Sequence, residues 1–293
     1  MYNDDMEDGV KRKINRVEVN GIFYEYLEAV LGKPYLKKLN ELLKDSVYKG
    51  PEYEFEINKD KLYTFEQLNQ MVQASPKELK EALESMSVVK INDKIRLLDF
   101  EYHFRVLSYM LKLIDENSWQ LDEIDYEQTI DTLSDLVPRE ILSDLFDKYA
   151  VESQIVDGLQ LYRYDEHKVC SFFAKVLLHD AGKFNLDDFL QAWRESVPEG
   201  MNPNEEMLYG IAIIDRKAQP NIIWALDESV LPENITERFK ILFDVKEKWT
   251  VPEISPYVKS LTTEKVDVHA LLAKYARASK MNGIKYYSAK HGK

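Results

Sequence analysis

Apolar positions along this chain switch between two spacings, and the switch recurs. From Pro34 onward, "PYLKKLNELLK" and "TFEQLNQMVQ" place apolar residues three and four apart, as an amphipathic helix does. Ser75-Pro76-Lys77-Glu78 then opens a further helix, with Ser75 as N-cap, Pro76 at the first helical position and Glu78 completing a capping box. After it, "VVKINDKIRLL" alternates at strand spacing about Asn92-Asp93. The same succession follows three more times. Val137-Pro138-Arg139-Glu140 and Asn202-Pro203-Asn204-Glu205 repeat the helix-opening tetrapeptide, with the prolines 62 and 65 residues apart. Asp267 opens a fourth capped helix, "DVHALLAKYARASK", without the proline. Hairpins are predicted after each, at Asp157-Gly158, at Asp215–Pro220 as a longer loop, and at Asn282-Gly283. Asp-Gly and Asn-Gly suit two-residue turns because both positions need positive φ.

Helix, helix, capped helix and hairpin in that order describe a winged helix. The predicted fold is therefore α+β and mostly helical, with three to four tandem winged-helix repeats each ending in a small β-hairpin. The units read as residues 33–100, 101–164, 165–228 and 229–293, the last with a basic C-terminal tail. The first, with its loop at Ser46–Lys61, is the least regular. Residues 1–20 read as a polar arm, acidic and then basic, and "GIFYEYLEAVLG" as a short helix. The alternative is an irregular α-rich domain with hairpins by chance; caps and turns that recur in phase favour the repeat.

Composition narrows the functional classes. A 293-residue chain that is 45% hydrophobic can bury a sizeable core. A net charge of −13 makes the average surface repel nucleic acid, so a DNA site has to be a local basic island. The one cysteine, Cys170, cannot form an internal disulfide, and neither a signal peptide nor a spanning apolar run is present. A soluble intracellular protein is expected.

"LLHDAGKF" (Leu177–Phe184) raises a metal-dependent alternative, because a His-Asp pair is how HD phosphohydrolases present two ligands. The chemistry also needs an earlier His and a later Asp. His167 is 12 residues before His179 on the same predicted helix, too far along its axis to share a metal, and His103 belongs to the preceding unit. The repeat explains the pair without chemistry, as a helix end with Gly182 just beyond it. No Gly-rich phosphate loop, G-x-S-x-G or HExxH is present, and Cys170 sits on an apolar face. The expectation is a non-enzyme with no cofactor and no metal.

The third helix of a winged helix enters the major groove, so its exposed face decides. In the second unit that face is net acidic, with Arg139, Glu140, Asp144, Asp147 and Lys148, and in the third it shows Glu205 and Glu206. The first mixes Lys77 and Lys80 with Glu78, Glu81 and Glu84, and its hairpin carries Lys90, Lys94 and Arg96. The fourth differs. Lys274 and Arg277, at i and i+3, share a helical face, and Lys280, Lys285, Lys290 and Lys293 extend the charge along the hairpin and tail. From Leu271 to Lys293 there are six Lys/Arg and no acid, which leaves −19 for the rest of the chain. Tyr286 and Tyr287 alternate faces, and Tyr287 is the candidate to stack on an unpaired base. The predicted DNA-binding residues are Lys274, Arg277, Lys280, Lys285, Tyr287 and Lys290, forming a sequence-tolerant phosphate patch. A solubilising basic tail is the competing reading.

Several segments resemble a known family: "YTFEQLNQMVQAS" (Tyr63–Ser75), "LLDFEYHFRVLSYMLKLIDENSW" (Leu97–Trp119), "KFNLDDFLQAWRESVPEGM" (Lys183–Met201), "KEKWTVPEISPYVKSL" (Lys246–Leu261) and "LLAKYARASKMNGIKYYS" (Leu271–Ser288). They are similar to the sister chromatid cohesion subunit of the alternative replication factor C clamp loader, with the likeness running from about Lys33 to the end. The resemblance implies a non-catalytic nuclear adaptor. It would join the large and small partner subunits of that clamp loader, contact single- or double-stranded DNA and the catalytic subunit of DNA polymerase epsilon, and serve PCNA loading or unloading, replication and cohesion. It also implies a contact to polymerase on an early winged helix. Family members begin with a β-rich domain that this chain is expected to lack, and they are described with three winged helices where four are read here.

Overall fold

A computed structural model describes residues 36–263 and 265–290. The polar arm, the "GIFYEYLEAVLG" helix and Lys293 lie outside the described residues. About 52% of the described residues are helical, and the rest include small antiparallel sheets.

The elements fall in one repeating order. The first set is α1 (Lys37–Leu43), α2 (Phe65–Met71), α3 (Pro76–Ser85), β1 (Val88–Ile91) and β2 (Lys94–Leu97). The second is α4 (Phe100–Glu116), α5 (Tyr126–Leu133), α6 (Arg139–Tyr149), β3 (Ala150–Val156) and β4 (Leu159–Tyr164). The third is α7 (Glu166–Leu178), β5 (Phe184–Asn185), α8 (Leu186–Ser196), β6 (Ala212–Asp215) and β7 (Ile222–Ala225). The fourth is α9 (Ile235–Val245), α10 (Val251–Val258), α11 (Val268–Tyr275), β8 (Ala276–Met281) and β9 (Ile284–Ala289).

Local chemistry sets most of these boundaries. Thr64 with Gln67 and Ser75 with Glu78 close capping boxes, and Asp99, Asp165 and Asn234 accept backbone N–H bonds at the starts of α4, α7 and α9. Asn92-Asp93, Asp157-Gly158 and Asn282-Gly283 all have positive φ at both turn positions, which matches the right-handed twist of the strands they join. One pairing recurs in every set: the segment between first and second helix bonds antiparallel to the second hairpin strand. It appears as Tyr63↔Ile95, Ile124↔Tyr162, Phe184↔Ile223 with Asn185↔Ile222, and Trp249↔Tyr287.

The third set departs from the sequence expectation. Asn202-Pro203 opens no α-helix, and a 3-10 turn, Glu205–Leu208, stands in its place. Two bonds accompany the change. The Glu166 carboxylate takes the Asn202 N–H, and the Asn204 side chain takes the Glu206 N–H, so the chain turns tightly and late. Met207 and Leu208 still fill the core position of the missing helix. Pro138 likewise precedes its helix as the cap rather than sitting inside it.

Three apolar clusters hold the elements. Leu39, Leu43, Leu68, Leu79 and Ile95 form the first-set core. The second and third sets share one core, in which α4 meets α7 through Phe104–Phe173 (centroids 5.5 Å) and His103–Phe172 (4.2 Å). Trp193 of α8 is fully buried in it and donates Nε1–H to the Cys170 carbonyl at 2.8 Å. Each such aromatic contributes about 1.5–3 kcal/mol by burial alone. The fourth-set core, around Trp249, Tyr257 and Leu272, also takes in Ile213 from β6.

Candidate nucleic-acid interface

The basic island is built from α11 and the hairpin after it. Asp267 accepts the Ala270 N–H at 2.7 Å and starts α11, and Leu271 and Leu272 bury its inner face. Tyr275 stacks on Phe239 (5.4 Å, 13°). Ala276 is already extended, so α11 passes straight into β8. This corrects the sequence reading in one respect. Arg277 lies on a strand, not on a helical face shared with Lys274.

The hairpin register sorts the candidates by face. Ala276↔Ala289, Ala278↔Tyr287 and Lys280↔Lys285 share one face; Arg277↔Ser288, Ser279↔Tyr286 and Met281↔Ile284 share the other. Lys274, Arg277, Lys280, Lys285 and Lys290 are all exposed. Lys285 Nζ lies 5.2 Å over the Tyr287 ring, and Lys290 Nζ donates to the Lys274 carbonyl at 2.7 Å, joining the hairpin base to the helix end. No ion pair among the described residues takes up any of these five cations.

Tyr287 is not available to a base. It is 4% exposed, its backbone exchanges two bonds with Trp249 (2.8 and 2.9 Å), and its ring belongs to the core. Tyr286, on the other face, is half-buried and lines a cleft of about 560 Å³ with Met281, Trp224, Arg216, Lys217 and Lys246. Lys217–Glu247 (2.9 Å) and Lys246–Glu253 (2.7 Å) pair the charges in that cleft. Burial pushes the Glu253 carboxyl up, but bonds from Lys246 and Thr250 outweigh it and hold the group below its ordinary value.

Several cations of the first set are paired. Lys77–Glu81, Lys80–Glu84 and Lys90–Asp93 pair locally. Arg96, expected on the first hairpin's surface, is buried. It donates to the Ser46 carbonyl (2.9 Å) and to Glu54 (2.6 Å), clasping the Ser46–Glu56 segment to β2. The first hairpin in turn packs on α6, where the Lys90 N–H reaches Asp144 at 2.9 Å. That carboxyl is raised, by desolvation first.

The His-Asp pair ends a helix. His179 is the C-cap of α7 and stacks on Phe100 (4.4 Å, 15°), with Nδ1 3.1 Å from Asp180. His103 is buried against Tyr149 (3.1 Å) with its pKa pushed down to about 3, chiefly by burial. No three His, Cys, Asp or Glu side chains among the described residues are grouped to hold a metal. The Cys170 thiol is buried and its pKa is pushed up to about 12.

A family model described as sister chromatid cohesion protein Dcc1 matches residues 2–258. The chain belongs to that family. The Xenopus tropicalis sister chromatid cohesion protein DCC1 is 40% identical over 276 residues, 93% of this chain and 70% of that protein. The Homo sapiens protein of the same name is 35% identical over 278 residues, covering 94% and 70%. The Saccharomyces cerevisiae one is 22% identical over 197 residues, covering 63% and 51%. The Dcc1 likeness begins at residue 2 and not at Lys33, as the quoted segments suggested. The Dcc1 family match ends with α10, ahead of the basic hairpin.

Proposed function

We propose that this chain is a non-catalytic adaptor acting in sister chromatid cohesion, a cohesion-linked subunit of an alternative replication factor C clamp loader in the nucleus. Its four helix–helix–helix–hairpin sets, the third with a 3-10 turn as its last helix, are read as tandem winged helices. The large and small clamp-loader subunits, the catalytic subunit of DNA polymerase epsilon and, indirectly, PCNA are its partners. The fourth set binds DNA through its phosphates. One observation carries the DNA reading: from Val268 to Lys290 five cations stand exposed without a single acid, on a chain of net charge −13. The family name supports the cohesion role, and the recurring third-strand pairing supports the winged-helix reading.

Fluorescence anisotropy on a short primer–template at several salt concentrations tests it, comparing wild type with Lys274→Glu/Arg277→Glu/Lys280→Glu. If three to five phosphates are contacted, log K falls against log salt with a slope of about −3 to −4.5. The triple variant should flatten that slope; overlaying curves would remove DNA from the fourth set.

A second reading, a protein-interaction scaffold without DNA binding, is favoured by the first set. Phe55, 81% exposed, and Tyr53 project from a 3-10 turn that Arg96–Glu54 and Arg105–Glu52 pin in place. Exposed aromatics on a pre-ordered segment suit a protein surface.

A further inference from the structure

The tip of the β8–β9 hairpin is apolar where its flanks are basic. Met281 and Ile284 face each other directly across the Asn282-Gly283 turn, project on the same side, and are 48% and 50% exposed. Immediately behind them, on the opposite side of the ribbon, Lys280 faces Lys285. Like charges set opposite one another disfavour the bare hairpin and call for a polyanion between or around them. On the Met281 side, Arg277, Ser279, Tyr286 and Ser288 lead from the base of the ribbon to the tip.

The other hairpins show what is particular here. At the first tip, Ile91 is buried and the hairpin lies on α6. The second tip is also apolar and open, with Ile155, Val156 and Leu159 exposed. Its flanks, however, carry Glu152 and Asp157 and no Lys or Arg from Val151 to Tyr162, which suits no polyanion.

We propose that Met281 and Ile284 form a wedge that seats against an exposed base face of nucleic acid, at a strand end, junction or unpaired stretch, while Lys280 and Lys285 hold the flanking phosphates. The proposal rests on the DNA reading above and adds the element of DNA that is chosen. Thioether and alkyl side chains cannot read base edges by hydrogen bonds; they complement the flat faces of bases. A closed duplex hides those faces in its stack, so the wedge discriminates in favour of ends and junctions. A membrane surface would accept the same tip, but it needs its cations at one depth. Here they run from Lys280 and Lys285 at the tip to Arg277 and then Lys274 and Lys290 at the base, over about 17 Å of strand.

The test uses the full chain and four probes: a closed dumbbell duplex, a primer–template carrying 2-aminopurine at its junction, a single strand, and vesicles of phosphatidylcholine and phosphatidylserine at 3:1. Wild type should bind the junction about five- to tenfold tighter than the dumbbell and brighten 2-aminopurine on binding. Met281→Ser/Ile284→Ser should abolish both effects and keep the salt slope, whereas Lys280→Glu/Lys285→Glu should weaken all three nucleic acids and lower the slope by about 2. Both pairs are exposed, and unchanged thermal melting would show that the variants fold. Salt-dependent binding with no junction preference, or a preference that survives Met281→Ser/Ile284→Ser, overturns the wedge and leaves the DNA reading standing. No binding to any nucleic acid overturns both. Vesicle binding that depends on the tip, without DNA binding, replaces the wedge with a membrane contact.

Discussion

Replacing Arg238 with Met should unfold the fourth set ahead of the rest. Arg238 is 4% exposed and its guanidinium joins two loops. Nε donates to the Pro232 carbonyl (2.7 Å) and Nη2 to the Leu231 carbonyl (3.2 Å), ahead of α9. Nη1 donates to Glu228 (2.8 Å), to the Tyr257 carbonyl (3.0 Å) and to Ser260 Oγ (3.0 Å), at the end of α10. Methionine keeps much of the aliphatic volume and no donor. The Leu231 and Tyr257 carbonyls then remain buried and unpaired, at about 1–3 kcal/mol each. Relief from burying the guanidinium offsets part of this, so the net loss is about 2–4 kcal/mol. Glu228→Gln is the contrast: its side chain is 36% exposed and can hydrate, and the loss is about 1 kcal/mol or less. Urea unfolding followed by tryptophan fluorescence reads both, since Trp249 is buried in the same core. Hydrogen exchange at α10 amides localises the opening. A loss below about 1 kcal/mol for Arg238→Met, or equal losses in the two variants, would refute the view that orphaned carbonyls set the cost.

Three further outcomes follow from the packing. Gly210 has φ +82, and an added Cβ would lie 2.7 Å from Pro256 Cβ; Gly158 has φ +84 with open space around it. Gly158→Ala should therefore cost about 1–2 kcal/mol from backbone strain alone, and Gly210→Ala should cost about 1 kcal/mol more in the same urea assay. His103, with a folded pKa near 3, stays neutral where the unfolded chain takes up a proton. Its contribution is whole above about pH 6.5 and falls by up to ~1.4 kcal/mol per pH unit toward pH 3, so His103→Gln should flatten stability against pH between 6 and 4; parallel curves would count against it. Cys170, buried with its pKa near 12, should resist a disulfide reagent at pH 8 until urea opens the shared core; prompt labelling of the native chain would contradict its burial.

Turn and cap chemistry was legible along most of the chain because it is local. Asn92-Asp93, Asp157-Gly158 and Asn282-Gly283 adopt the conformation their residue types favour, and Thr64, Ser75 and Asp267 cap as expected. Asn202-Pro203-Asn204-Glu205 carries similar signals, but the cap falls on Asn204, and Glu166, 36 residues away, takes the Asn202 N–H that Glu205 would take in a capping box. No window of sequence contains that bond. Arg277 was misplaced for a different reason. "AKYARASK" has good helix formers, yet pairing six residues either side of Asn282-Gly283 leads to a strand from Ala276.

The choice of Tyr287 over Tyr286 shows how a one-residue parity question passes beyond charge and composition. Aligning the hairpins by their turns would have settled it. Tyr162 and Tyr287 each stand four residues after the turn glycine, and each pairs with the segment between the first two helices of its set, at Ile124 and Trp249. The position faces inward by topology. Whether a tip stays bare is decided by the neighbour it meets. The first hairpin lies on α6, and the third places Ile213 in the fourth-set core, whereas the second and fourth tips meet no described element that buries their apolar pair. The tips left open are those of β3–β4 and β8–β9. Asp157 beside Val156 and the lysines beside Met281 and Ile284 then give the two open tips opposite charge, and of the two only the β8–β9 tip carries the sign that attraction to a phosphate backbone requires.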